Sequence, residues 1–325
     1  MGYDWSVNDL DIELSIVVPV YSEEDSIAVF HSRLLSSLQN ITNRFEVIYC
    51  LDPSPDKTEE IITSWCEMDK RIALVKFSRR FGQPAATIAG IKMSNGSKVA
   101  VIDADLQDPP EILIEMYRKI LDGYDVAYGE RISRRGETHS KKFISTLGYK
   151  LINSSSEVAI PPNVGDFRMM SRRVVNQLNL LTEAHGFLRG LVAYVGFPQI
   201  AIKYEREERI SGFGKYNRYL GSLKIGLNGL IGFSSKPLVF MSVIGALISG
   251  SSFIVGTVYL IQKLLGFSLN PGLPTLVILV TFLSGVQISA LGLIGQYISR
   301  IYDEVKSRPM YIIDSIKNLN PIEDK

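Results

Sequence analysis

The chain has 325 residues, room for about two domains, and is 46% apolar with a mean hydropathy of +0.12. Lys and Arg number 35 against 34 Asp and Glu, and the net charge of +1 excludes a broad electrostatic footprint for nucleic acid. Cys50 and Cys66 lie far apart and His31, His139 and His185 are scattered, which excludes a disulfide framework and a zinc ribbon and fits a reducing compartment.

Met1 to Glu13 is acidic and has no apolar core, so no signal peptide is expected and the body is expected to stay in the cytoplasm. Short β-branched runs then alternate with helical periodicity. Strands are predicted at Ser15–Tyr21, Glu46–Asp52, Ile72–Ser78, Lys98–Asp103 and Asp125–Tyr128. Helices are predicted between them at Glu24–Leu38, Lys57–Met68, Gln83–Met93 and Pro110–Leu121. Such alternation, with strands apolar on both faces, implies an α/β fold with a doubly wound, mostly parallel sheet. Ligands bind such sheets at the carboxyl ends of the strands. Glu23, Asp52, Arg79, Arg80, Asp103 and Asp105 all fall at strand ends and converge from four strands on one crevice.

No G-x-G-x-x-G follows the first strand and no G-x-x-x-x-G-K-[ST] occurs, so neither a dinucleotide fingerprint nor a P-loop is supported. The informative run is Asp103-Ala104-Asp105-Leu106-Gln107. Two carboxylates at i and i+2, leaving an apolar strand, can reach one hard cation. Mg2+ or Mn2+ would take them and fill its other positions with water and phosphate oxygens. A lone D-x-D is also common as a solvated strand end. Here the apolar strand before it and the helix start Asp108-Pro109-Pro110-Glu111 after it favour the functional reading. Further on, Arg131, Arg134, Arg135, Lys141 and Lys142 precede the apolar Phe143–Ile152, a pattern that attracts an anionic lipid phosphate and anionic headgroups. His139 and His185 read as surface or packing residues.

Pro237–Ser299 is 63 residues long and carries one charged side chain, Lys263, whereas the other 262 residues carry the remaining 68 charges. Leu238–Gln262 and Leu273–Ile298 are uncharged over 25 and 26 residues, each longer than the roughly 20 that span a bilayer. The connector contains Gly266, Asn270 and Pro271, so the pair reads as a hairpin anchor. Lys215, Arg218, Lys224 and Lys236 precede it and Arg300, Lys306 and Arg308 follow, against Lys263 alone in the connector. That asymmetry puts both termini on the cytoplasmic side. Tyr219–Phe233 is apolar with one lysine and reads as a segment lying in the membrane interface, or as a helix packed on the body.

The stretches VVPVYSEE (17–24), SRRFGQPAATIAG (78–90), DADLQDPPE (103–111), GDFRMMSRR (165–173), FLRGL (187–191) and IGQYISRIYDEVKSRP (294–309) keep a recognisable order. With them the chain resembles the polyprenyl-phosphate glycosyltransferases of inverting glycosyltransferase family 2, which have a GT-A fold. The likeness is strongest to bacterial bactoprenol glucosyltransferases and weaker to dolichyl-phosphate mannose synthases. It implies a cytoplasmic GT-A domain over 1–218, an interfacial segment over 219–236, two transmembrane helices within 237–299 and a cytoplasmic tail over 300–325. It implies that Pro19, Tyr21, Glu23 and Asp52 hold the uridine, with Arg79, Gln83, Asp103 and Arg209 also on the nucleotide sugar. Asp103, Asp105 and Gln107 would meet the metal, Mg2+ or Mn2+, and Asp105 and Asp166 would be catalytic. Arg131, Arg134, Lys215 and Tyr216 would meet the acceptor phosphate. The implied partners are a UDP-sugar donor, polyprenyl phosphate and the lipid bilayer, without nucleic acid. A homo-oligomer stays open, and a flippase and a periplasmic glycosyltransferase would act downstream.

Three departures from the family pattern stand out. Leu51-Asp52-Pro53 replaces a pair of aspartates followed by glycine, Arg80 stands where asparagine is common, and Gly214 takes the place of a serine or threonine before Lys215. A glycosyltransferase acting on a polysaccharide or another glycolipid would keep the same D-x-D and sheet. A metal-dependent nucleotidyltransferase would also use an aspartate pair, but it leaves the later basic signature unexplained.

Overall fold

The structure is a computed structural model that describes residues 12–132, 164–181, 188–207, 236–265 and 272–319. Strands β1 (Leu14–Val20), β2 (Phe45–Leu51), β3 (Ile72–Phe77) and β4 (Lys98–Val101) are the parallel centre of the sheet. Every residue of β1 and β2 is buried, the signature of strands covered on both faces. Helices α1 (Ile27–Gln39), α2 (Thr58–Met68), α3 (Gln83–Met93) and α4 (Ile112–Leu121) form the crossovers. The alternate residues Leu14, Ile16, Val18 and Val20 share one core with Phe30 and Leu34 of α1, Ile62 of α2, and Leu113 and Met116 of α4. On the opposite face, α3 approaches the sheet closely because it carries Gly90. A Cβ there would fall 2.3 Å from Val17 Cγ1 and 2.7 Å from Cys50 Sγ.

The remaining strands make the sheet mixed, where mostly parallel pairing was expected. Its order is β7-β5-β6-β4-β1-β2-β3-β8. β6 (Val164–Ser171) runs antiparallel between β4 and β5 (Val126–Arg131), while β7 (Gln199–Tyr204) runs parallel to β5. Antiparallel pairing needs no crossover helix. It also has a positional consequence: the beginning of β6, and not its end, lies beside the carboxyl ends of β4 and β5. Helices α5 (Arg172–Asn179) and α6 (Leu188–Val195) follow β6.

The last strand, β8 (Ile313–Lys317), lies in what reads from sequence as a tail, and pairs antiparallel with β3 at the sheet edge. Ser78 N donates to Ile312 O at 3.0 Å, and Asn318 Nδ2 to Ile72 O at 2.9 Å. Between β7 and β8 the chain forms a separate unit containing α7 (Lys236–Leu264) and α8 (Leu273–Lys306). Both expected spans fall within these helices, and Phe240, Leu247, Ile254, Phe282, Ile288 and Leu291 on them are exposed. Among the described residues one stretch, Phe282–Lys306, is long and apolar enough to cross a membrane. The interfacial segment Tyr219–Phe233, the residues 266–271 of the connector, and the basic residues Arg134, Arg135, Lys141 and Lys142 lie outside the described residues, as do His139 and His185.

The remaining histidine, His31, is a packing residue. Its ring stacks on Trp65 at 3.9 Å and shares a 2.8 Å hydrogen bond with Tyr49 Oη. Burial pushes this imidazole down to about 4 from an ordinary 6.5, against an upward pull from Asp69. The unfolded chain therefore takes up the proton first as pH falls. His31's contribution is complete above about pH 6.5 and lost as pH drops towards 4, roughly 1–2 kcal/mol after allowing for its partial exposure. Chemical denaturation at pH 7 and pH 5 should show this loss, and His31→Phe should flatten it. An unchanged pH slope in that variant would assign the effect elsewhere.

Candidate active site

The carboxyl end of β4 and the loop after it carry the acidic run. Ile102 N still donates to Val17 O at 3.1 Å, and the chain then leaves the sheet. Asp103 Oδ1 accepts from Gln83 Nε2 of α3 at 2.7 Å, which joins two residues predicted for the nucleotide sugar. Asp105 Oδ1 accepts from Gln107 N at 3.1 Å, closing a short turn. Between them Leu106 adopts φ +60° while its side chain is fully buried. A left-handed leucine costs about 1–2 kcal/mol, and burial in the core holds it there.

Acidic groups crowd this edge. Burial first, and then Asp108, Asp166 and Asp105, push the Asp103 carboxyl up to about 8. No cluster of three or more His, Cys, Asp or Glu side chains arranged for a metal occurs among the described residues. The two carboxylates of Asp103 and Asp105 nevertheless fit Mg2+ or Mn2+, ions that accept one or two carboxylates and complete their shell with water and phosphate oxygens.

Asp108, 1% exposed, is the buried acid beneath them. It accepts from Tyr204 Oη at the end of β7 and from Arg131 Nη2 at the end of β5, the latter at 3.3 Å. Arg131 Nε also donates to Tyr204 Oη at 3.2 Å. Burial opposes the charge on Arg131, yet Asp108 and Tyr204 outweigh it and hold the guanidinium above its ordinary value. β6 makes room for this side chain through Gly165, where a Cβ would stand 2.7 Å from Arg131 Nη2. Arg131, expected at the acceptor phosphate, is thus tied into a buried triad.

Asp166, near the start of β6, accepts from Arg189 Nε of α6 at 3.0 Å. Arg168 is 2% exposed and donates from Nη2 to Gly165 O at 2.9 Å, beside Asp166. Burial pulls Arg168 down to about 10, with Asp166 opposing. The antiparallel direction of β6 brings Asp166 to the same edge as Asp103 and Asp105.

On the other flank, Asp52 is 2% exposed and accepts from Phe81 N at 2.9 Å and Gly82 N at 2.8 Å. It braces the loop after β3, and Gly82 there has φ +91°, open to glycine without strain. The Arg80 guanidinium covers the Tyr21 ring at 3.8 Å, and that of Arg79 covers Phe81 at 4.0 Å. Glu23 N donates to Thr58 Oγ1 at 3.1 Å, and its carboxylate accepts from Ser26 Oγ at 2.7 Å. Pro19 sits inside β1 opposite Cys50. Arg209, Lys215, Tyr216 and Arg134 lie outside the described residues. Sequence reasoning missed Asp108, Tyr204, Arg206 and Arg33. The D-P-P after Asp108 was visible only as a helix start, and Tyr204-Glu205-Arg206-Glu207 carries no motif of its own.

A mixed α/β sheet with acids at the strand ends fits the GT-A glycosyltransferase fold. The model of glycosyl transferase family 2 matches residues 15–178, and the chain belongs to that family. It is 41% identical to an uncharacterized glycosyltransferase of Bacillus subtilis (strain 168), over 93% of both chains. It is 40% identical to an uncharacterized glycosyltransferase of Synechocystis sp., over 97% of this chain and 99% of that one. It is 36% identical to the SfII prophage-derived bactoprenol glucosyl transferase of Shigella flexneri, over 95% of this chain and 100% of that one. The protein is a glycosyltransferase.

The triad makes its own prediction. Asp108→Ala and Arg131→Ala should each destabilise the fold by about 2–4 kcal/mol, since one leaves the half-buried Arg131 and the other the buried Asp108 without its counter-charge. The double variant should cost less than the two combined, with a coupling of about 1–3 kcal/mol in a denaturation cycle. Additive losses would mean that Arg131 and Asp108 act independently.

Proposed function

We propose that the protein transfers a hexose, glucose from UDP-glucose, to polyprenyl (undecaprenyl) phosphate at the cytoplasmic face of the plasma membrane. Inversion at the anomeric carbon would give a β-linked polyprenyl-phosphate sugar and UDP. The observation that carries this reading is the gathering of Asp103, Asp105 and Asp166 on one sheet edge, the first two leaving β4 and the third entering β6. Likeness over nearly the whole chain to a bactoprenol glucosyl transferase supports the acceptor and the sugar.

The reaction sets simple demands. A nucleotide sugar departs as a diphosphate, so negative charge grows on a phosphate oxygen. Mg2+ or Mn2+ bound at Asp103 and Asp105 would supply Lewis-acid stabilisation of that charge. The acceptor monophosphate is already an anionic nucleophile near neutral pH. Asp166, steadied by Arg189, then orients the acceptor more than it removes a proton. Gln83 holds Asp103 in place through its amide. Asp52 shapes the uridine end by bracing the Phe81-Gly82 backbone.

Connectivity constrains the membrane attachment proposed. β7 and β8 belong to one sheet, and α7 and α8 lie between them in the chain. An odd number of crossings would leave the two strands on opposite sides of the bilayer, so an even number is the arrangement that agrees with one sheet. The exposed apolar surface of both helices favours two crossings over none. The catalytic body and both termini then share the cytoplasmic side, in agreement with the flanking positive charges.

Washed membranes supplied with labelled UDP-glucose and polyprenyl phosphate should yield label that extracts into organic solvent. Asp105→Ala should abolish it while leaving the unfolding midpoint within about 1 kcal/mol, because the side chain lies at a partly exposed strand end. A chelator should have the same effect on the unaltered protein. Full activity in the chelator would sink the metal assignment, and nucleotide release without lipid-linked label would sink the acceptor.

A further inference from the structure

Arg206 follows β7, and the residues on either side of it are fixed. Tyr204 Oη donates to the buried Asp108. Glu207 N donates to Gln107 O at 3.1 Å, which pins this strand exit to the acidic loop. The Glu207 carboxylate accepts from Arg33 Nη1 and Nη2, each at 2.9 Å. Arg33 in turn reaches Glu111 through Nε at 3.0 Å and Nη2 at 2.9 Å. The backbone that carries Arg206 is therefore held from α1, from the start of α4 and from the 103–108 loop.

Within this brace one donor of the half-buried Arg206 side chain is unsatisfied. Its Nε is shut off from solvent and has no hydrogen-bond partner among the described residues. A buried donor left in that state costs about 1–3 kcal/mol. Its acidic neighbours are already engaged: Asp108 accepts from Tyr204 and Arg131, and Asp105 Oδ1 accepts from Gln107 N. Burial and the adjacent Arg131 disfavour the charge on Arg206, while Asp108 and Asp105 support it. A guanidinium is always protonated and offers five donors in a planar fork that matches phosphate oxygens. A fixed cation with an idle buried donor, beside the D-x-D carboxylates, is a place prepared for an anion.

We propose that Arg206 is a phosphate-binding residue of the crevice and donates from its guanidinium to an anionic oxygen of a phosphate group. The inference rests on the glycosyl-transfer reading above. Two phosphates could supply that oxygen, the donor diphosphate and the acceptor monophosphate. Glu207 and Arg33 are its positioning residues. The unmatched donor is the stability cost of having the site ready before the ligand arrives.

The test uses the full chain in lipid nanodiscs, with Arg206→Gln and Arg206→Lys. Calorimetry measures the binding of UDP and of inorganic pyrophosphate, kinetics give the KM for polyprenyl phosphate, and thermal unfolding without ligand reports stability. Arg206→Gln should keep or raise the unfolding midpoint, because it removes a buried donor that has no partner. It should also weaken one phosphate contact by a factor on the order of 10 to 100. Weaker UDP and pyrophosphate binding assigns the donor diphosphate, and a raised KM for polyprenyl phosphate with intact UDP binding assigns the acceptor. Arg206→Lys should recover only part of the loss if both arms of the fork are used. Unchanged UDP binding, pyrophosphate binding and acceptor KM would overturn the proposal, as would a lowered midpoint with all three intact. If the unaltered protein forms no lipid-linked sugar yet pyrophosphate binding still falls in Arg206→Gln, the acceptor reading fails and the phosphate contact stands.

Discussion

Like charges at the end of a parallel sheet repel one another, and this chain places four carboxylates there. Burial first, and then the nearby Asp108, Asp166 and Asp105, keep Asp103 reluctant to ionise. The fold answers each of the deeper ones with a guanidinium: Arg131 with Asp108, and Arg189 with Asp166. Asp103 and Asp105 are held instead by neutral donors, Gln83 Nε2 and Gln107 N. In the proposed reaction a divalent cation would meet these two carboxylates.

The mixed sheet makes this possible. Three of the four acids come from β4 and the loop that follows it, so a fully parallel sheet would have supplied them too. Asp166 is different. It stands at the beginning of β6 and reaches the carboxyl edge only because β6 runs against its neighbours. Gly165 beside it lets Arg131 pass to Asp108. Tyr204 joins the same triad from β7, so the ends of β5, β6 and β7 are locked together around one buried carboxylate.

β8 plays a different part. By pairing with β3 it returns the chain to the sheet after α7 and α8, so the helical unit is tethered to the body at both of its ends. A single tether would leave its second end free to wander.

Periodicity and composition by themselves determined the first four strands and four helices to within a few residues, because runs buried on both faces and amphipathic helices write their environment into the sequence. They also determined the apolar pair of helices, since charge depletion over 63 residues needs no partner to be read. The D-x-D was legible because both acids lie within three residues on one strand end. Only the tertiary structure decided the direction of β6, the recruitment of Ile313–Lys317 as an edge strand and the pairing of Asp108 with Arg131 and Tyr204. A five-residue strand with two half-buried isoleucines leaves no distinctive pattern, and strand direction depends on which edge is free when the segment arrives. The triad joins residues 108, 131 and 204, and nothing in a linear sequence tells which carboxylate a guanidinium will meet. That choice is made by burial, which forces a buried charge to find its partner across the fold.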